Sequence, residues 1–115
     1  DRMKRFPSIK KNSDFQYIYR NGKSYANRLL VMYVVRSGGE ANSIGISVSK
    51  KVGNSVVRSR ITRLLRESYR LSESKFLAGY DIVVIARASA KEATYREVES
   101  ALMHLLNKQK LIKSE

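Results

Sequence analysis

Hydrophobic positions along this chain recur at two periods, and the switches between them mark out the elements. Phe15, Ile18 and Tyr19 share one face of a short helix that the spacing predicts to open at Asn12 or Ser13 as N-cap and to stop at Asn21-Gly22. Leu29 to Val35 is an apolar, β-branched run closed by Arg36-Ser37-Gly38-Gly39, which reads as a buried strand followed by a turn or longer loop. Ser43 to Ser49 alternates. Ile44, Ile46 and Val48 point one way and Gly45, Ser47 and Ser49 the other, so one face packs while the other offers a shallow floor of small polar groups. Gly53-Asn54 then caps a long helix running to about Leu71. Asp81 to Ala86, with Ile82 to Ile85 continuously apolar, reads as a central strand. Thr94-Tyr95-Arg96-Glu97 is a capping box that opens a last helix with Val98, Ala101, Leu102, Leu105 and Leu106 as its apolar stripe. The order helix, strand, strand, helix, strand, helix contains a strand-helix-strand crossover, which predicts one α+β or split α/β domain over residues 1–115 with helices packed on a sheet.

The crossover helix carries the strongest chemical signal. From Lys50 to Arg70 seven cations meet a single acid, Glu67. At 100° per residue Val57, Ile61, Leu64, Leu65 and Ser68 form one stripe, Arg63, Arg66 and Arg70 lie opposite, and Arg58 and Arg60 sit on the borders. A solvated charged face would pair its cations with acids one turn away, and that pairing is nearly missing. Guanidinium forks so arranged repel one another unless an anionic partner is present, and each can grip a phosphate through two parallel hydrogen bonds. The whole chain agrees, with 23 Lys plus Arg against 10 Asp plus Glu, a net charge of +13 and a pI near 10.3. Such a field draws in polyanions, and nucleic acid fits it better than a membrane or an acidic protein.

Other classes fall away. No apolar run of about 18 residues is present to span a bilayer and the N-terminus lacks the pattern of a signal peptide, so the chain is expected to be cytoplasmic. Met3-Lys4-Arg5 reads as the natural start, with Asp1-Arg2 an addition ahead of it. Without cysteine there are no disulfides, thiolates or Cys-ligated zinc. The single histidine, His104, falls on the polar side of its helix, as a surface residue does. The acids are scattered, no pair of carboxylates recurs at catalytic spacing, and Gly38-Gly39 and Gly53 complete no phosphate loop. No catalytic or metal-ligating residue is therefore assigned to this chain. Phe15, Tyr19 and Tyr33 are placed to share one sheet face, where aromatics beside Arg and Lys hold single-stranded RNA by stacking. Core packing is the rival for Phe15, whereas the tyrosine hydroxyls favour a wet edge. Ser24 to Arg28 adds hydrogen-bond donors at the rim.

Several of these segments together resemble the protein subunit of bacterial ribonuclease P. The resemblance rests on Lys-Lys-Asn-x-Asp-Phe-Gln at 10–16, on Gly22-Lys23-Ser24 leading into Ala26-Asn27-Arg28, and on Ile44-Gly45-Ile46-Ser47-Val48-Ser49-Lys50-Lys51-Val52-Gly53-Asn54. Arg58-x-Arg60 and Ile85-Ala86-Arg87 complete it, so it covers nearly the whole chain. It implies an α+β sandwich of the ribosomal protein S5 domain-2 type, with about four strands in a mixed sheet, three helices and a left-handed β-α-β crossover, the reverse of the usual hand. It also implies a division of labour in which an RNA subunit with bound Mg²⁺ removes the 5′ leader of precursor tRNA and the protein assists. RNA-subunit contacts are then expected at Lys50, Lys51, Asn54, Arg58, Arg60, Arg63 and Arg66, leader contacts in a cleft of Phe15, Tyr19, Tyr33, Ser47 and Ser49, and a rim at Asn27, Arg28 and Arg87. One protein per RNA, monomeric when free, is expected. The family's Arg-Asn-Arg reads Arg58-Ser59-Arg60 here, so a two-point amide has become a shorter hydroxyl. The alternatives are a structural RNA-binding protein of ribosomal type, a duplex-DNA reader, which needs a helix where the sequence puts a strand, and last a stand-alone nuclease.

Overall fold

The computed structural model describes residue 9 and residues 11–114. Lys10 and the expected start at Met3 lie outside the described residues. Three helices, α1 (Asn12–Asn21), α2 (Ser55–Ser72) and α3 (Tyr95–Lys108), join four strands, β1 (Lys23–Ala26), β2 (Leu30–Arg36), β3 (Ser43–Ser47) and β4 (Tyr80–Ala86). The strands form one mixed sheet in the order β1-β2-β4-β3, antiparallel except for the β3–β4 pair that α2 connects. The predicted α+β class, the crossover and the central position of β4 are all present.

Leu30, Met32 and Val34 of β2 and Ile82 and Val84 of β4 pack with Ile61 and Leu65 of α2 and with Val98, Leu102, Leu105 and Leu106 of α3 in one buried cluster. Truncating a fully buried leucine of this kind costs about 2–5 kcal/mol. The stripe along α2 thus anchors that helix and fixes the direction in which its arginines point. The stripe is wider than the sequence indicated: Tyr69 and Ser72 are buried with Ile61, Leu65 and Ser68, while Val57 and Leu64 are half-buried. Burial pushes the Tyr69 hydroxyl up to about 12, against a lowering hydrogen bond from Asn42. Its ring meets Phe76 with centroids 5.3 Å apart.

The alternate residues of the strands face α1 on the other side of the sheet. Helix α1 starts one residue earlier than predicted, because the Asp14 and Phe15 N–H groups both reach the Lys11 carbonyl, at 3.1 and 3.2 Å. Lys11 is therefore the N-cap, Asn12 is already helical, and no side chain caps this end. At its other end the Gly22 N–H donates to Ile18 O at 2.7 Å, and a β-carbon at Gly22 would lie 2.5 Å from that oxygen, so only glycine allows the chain to turn directly into β1. The sequence reading assigned no strand to Lys23–Ala26, which pairs with Val31–Val34. The predicted strand from Ser43 ends at Ser47, where the backbone leaves the ladder for the turn before α2.

Candidate nucleic-acid interface

Asn54 caps α2 as expected, its Oδ1 accepting the Val57 N–H at 3.0 Å. Lys50 and Lys51 are exposed in the turn that leads into it. Ser49 lies outside the strand: its Oγ accepts the Lys51 N–H at 3.3 Å and its carbonyl the Val52 N–H at 3.0 Å. It braces the lysine turn and is not part of the sheet floor, a correction to the predicted cleft.

The α2 arginines divide by their partners. Arg63 and Arg66 are exposed and line an open groove of about 500 Å³ with Arg58, Ser59 and Thr62, walled on the far side by Ile46 and Val48 at the sheet edge. Arg58 is held by its Nε–H donating to Gly53 O at 3.2 Å. Arg60 leaves the set expected to face RNA. Its Nη2 donates to Ala93 O at 2.6 Å and its Nη1 reaches Lys91 O at 3.5 Å, so it clasps α2 to the segment before α3. Arg70 is paired with Glu67 at 2.7 Å. The grouping that remains is Lys50, Lys51, Arg58, Arg63 and Arg66, with Ser59 between the last three in the groove.

The second surface is the sheet face that α1 only partly covers. Phe15, Tyr19 and Tyr33 form a row of rings, with centroids 6.2 Å apart for Phe15–Tyr19 and 5.2 Å for an edge-on Tyr19–Tyr33 pair. All three are half-buried, whereas Ile18, on the same helix, is fully buried. Burial raises the Tyr19 hydroxyl above its ordinary 10.0, a hydrogen bond to Ser47 opposes this, and Tyr33 adds to the rise. Tyr19 is thus a neutral donor and acceptor at physiological pH. Register places Val31 opposite Ile85 and Ile85 beside Ser47, so half-buried apolar side chains and one hydroxyl continue the floor beyond the rings. Phe15 itself sits over Gly45, whose missing side chain makes room for the ring. The alternation of Gly45 with Ile44 and Ile46 signalled that small residues line this face. It did not signal which aromatic fills the space.

The predicted rim is only partly a rim. Asn27 points to the helix layer, where its Nδ2 donates to Ala101 O at 3.0 Å while its Oδ1 accepts the Leu29 and Leu30 N–H groups at 3.2 and 2.9 Å. It locks the β1–β2 turn to α3. Arg28 and Arg87 are exposed, and Arg87 Nη1 donates to Asn27 O at 3.0 Å. Among the described residues no helix is long and apolar enough to cross a membrane.

Known proteins share this fold. The family model described as ribonuclease P matches residues 3–110. The ribonuclease P protein component of Alkaliphilus metalliredigens is 59% identical over 104 residues, spanning 90% of this chain and 94% of that protein. That of Lachnoclostridium phytofermentans is 56% identical over 107 residues, spanning 93% and 92%. Among solved structures, the RNase P protein of Staphylococcus aureus superposes with a TM-score of 0.86 at 41% identity, covering 95% of this chain and 100% of that one. The RNase P protein of Thermotoga maritima gives 0.82 at 28% identity, covering 93% and 98%.

Proposed function

This chain belongs to the ribonuclease P protein family, as the protein subunit of that endoribonuclease, and we propose that its two surfaces hold two RNAs at once. The partner is ribonuclease P RNA, and in this reading the α2 groove and the lysine turn grip its phosphates. The sheet face beside α1 takes a few nucleotides of the single-stranded 5′ leader of precursor tRNA. The observation that carries this is the Phe15–Tyr19–Tyr33 row, half-exposed beside a floor of Val31, Ile85 and Ser47. Aromatic faces tolerate any base, and a hydroxyl-bearing floor suits an unpaired strand.

The protein's part is binding and orientation. Stacking the leader fixes the strand on one side of the scissile bond, which turns binding energy into positioning at the catalytic RNA. In this reading Mg²⁺ is held by the RNA and would supply the electrostatic stabilisation of the reaction. Among the described residues no group of three or more His, Cys, Asp or Glu is placed to hold a metal ion, and the surface is cationic. Those cations lower the Mg²⁺ needed to bring two polyanions together. One protein per RNA, monomeric when free and working in the cytoplasm where tRNA precursors are made, completes the proposal.

The test is cleavage of precursor tRNA at low Mg²⁺ by RNA alone, protein alone and both together. Cleavage that requires both, with tighter binding of precursor than of mature tRNA, supports the reading. Equal affinity for the two substrates leaves a general RNA-binding subunit, and cleavage by protein alone overturns the division of labour.

A further inference from the structure

A second basic surface lies at the sheet edge opposite the arginine groove. The outer strand there is β1, whereas β3 borders the α2 groove at the other edge. Along α3, Arg96, Ser100, His104 and Lys108 recur every four residues and share one flank, with a polar group about every 6 Å. That flank adjoins β1 and its turn into β2. Arg96, Ser100 and His104 line an open groove of about 360 Å³ with Arg28 and Asn27. One turn further on, Lys108 Nζ stands 5.4 Å from the centroid of the Tyr25 ring, and Lys23 Nζ of β1 stands 5.4 Å from the same centroid.

Three of these cations are unbalanced among the described residues. Among the described residues the one side-chain ion pair is Arg70–Glu67, and none of their carboxylates pairs with Lys23, Arg96 or Lys108. Glu97 also borders the groove, but its Oε1 accepts the Thr94 N–H at 2.9 Å to close the capping box, and Arg28 is the cation that offsets its charge. Both ammonium groups stand by one ring with no carboxylate among the described residues to neutralise them, so an anionic partner at this flank lowers their electrostatic cost.

His104 adds a directed donor. Both backbone N–H groups held by Asn27 Oδ1 fix the orientation of that amide, so Nδ2 is the atom that meets His104 Nδ1 at 3.1 Å. Nδ1 accepts, the ring proton resides on Nε2, and the exposed imidazole has an N–H to offer.

We infer that the α3–β1 flank, through Lys23, Arg28, Arg96, His104 and Lys108, is a second phosphate-binding surface that takes an RNA backbone. A cationic row with one tyrosine and no open aromatic floor recognises phosphates without selecting bases. The phosphates belong either to ribonuclease P RNA or to the tRNA substrate. The inference rests on the RNA partnership alone and is independent of the leader cleft.

The reconstituted holoenzyme tests it with two triple variants of equal charge loss at exposed sites: Lys23→Gln/Arg96→Gln/Lys108→Gln, and Lys75→Gln/Lys91→Gln/Lys113→Gln as control. Salt titrations follow protein binding to ribonuclease P RNA, and holoenzyme binding to precursor and to mature tRNA, with thermal melting to establish folding. The flank variant is expected to lose about 0.7–0.9 in the log–log salt slope per phosphate contact removed, beyond any change in the control. Loss in the first arm identifies ribonuclease P RNA as the source of the phosphates, and equal loss for both tRNAs identifies the tRNA body. Lys23→Arg/Arg96→Lys/Lys108→Arg should retain the wild-type slope. Equal slopes for the two glutamine variants in every arm would reduce the effect to net charge and overturn the inference, as would a charge-preserving variant as weak as the glutamine one.

Discussion

The ring of Phe15 rests directly on Gly45: a β-carbon at that glycine would fall 2.9 Å from both Cε1 and Cζ of the ring, and 3.1 Å from Cβ of Ile9. The sheet thus sets the height of the first aromatic in the row. Gly45→Ala should tilt Phe15 away from Tyr19 at small cost to the fold, because the ring is half-buried and free to yield. Affinity of the holoenzyme for precursor tRNA is expected to fall by up to the ~1–3 kcal/mol of one base stack, with mature tRNA unaffected. Phe15→Ala should do the same. Equal weakening of both substrates would assign Phe15 to packing.

Arg60 and Arg63 lie three residues apart on one helix and predict opposite phenotypes. Arg60 ties α2 to Ala93, so Arg60→Ala should lower stability by about 1–2 kcal/mol, read as a drop of several degrees in Tm, with little change in the salt dependence of RNA binding. Arg63→Ala/Arg66→Ala should leave Tm unchanged and flatten that dependence by about 0.7–0.9 per contact. Reversed behaviour, with Arg60 carrying the salt slope, would place its clasp aside when RNA binds.

This division marks the limit of what periodicity reveals. The capping box at Thr94, the Asn54 cap, the apolar stripe of α3 and the Ile61–Leu65–Ser68 part of that of α2 depend on residues within about four positions of each other, and all were legible. Strand β1 was not, because Lys23–Ala26 is short and mostly exposed, and it becomes a strand only by pairing with β2. Arg60 reads as a border arginine until the fold brings the Ala93 carbonyl, 33 residues away in sequence, within 2.6 Å. Ser49 satisfies the alternation of a strand, yet the ladder ends at Ser47 and a local turn takes its hydroxyl. Phe15, Tyr19, Tyr33 and Ser47 did converge as read, since helix period and strand alternation each selected one face.

Asn27 holds four backbone or side-chain groups at once, across the β1–β2 turn and α3. Asn27→Ala should cost about 1–3 kcal/mol, since the turn N–H groups lose an acceptor in a half-buried setting. Asn27→Asp keeps that acceptor and loses the Nδ2 donor to Ala101 O. It should therefore fall between wild type and alanine in urea denaturation. An alanine variant as stable as wild type would show that water replaces the amide.

Two carboxyl groups should bend the stability profile in opposite directions below neutral pH. Burial raises Asp81 above its ordinary 3.8, with Ser43 opposing through a hydrogen bond and Asp14 adding repulsion. Its folded-state affinity for the proton exceeds the unfolded one, so its contribution is fully present below about pH 3.8 and is lost as pH rises through the higher folded value. Glu97 is the reverse: the Thr94 backbone N–H lowers it below its ordinary 4.5, so its contribution is present above that value and lost as pH falls through the lower folded one. Asp81→Asn should therefore raise the urea midpoint relative to wild type at pH 7, and that advantage should shrink toward pH 3.5. Glu97→Gln should lower the midpoint at pH 7 and converge on wild type at acid pH. Parallel shifts of the two variants across the range would mean that neither carboxyl is set by the neighbours described.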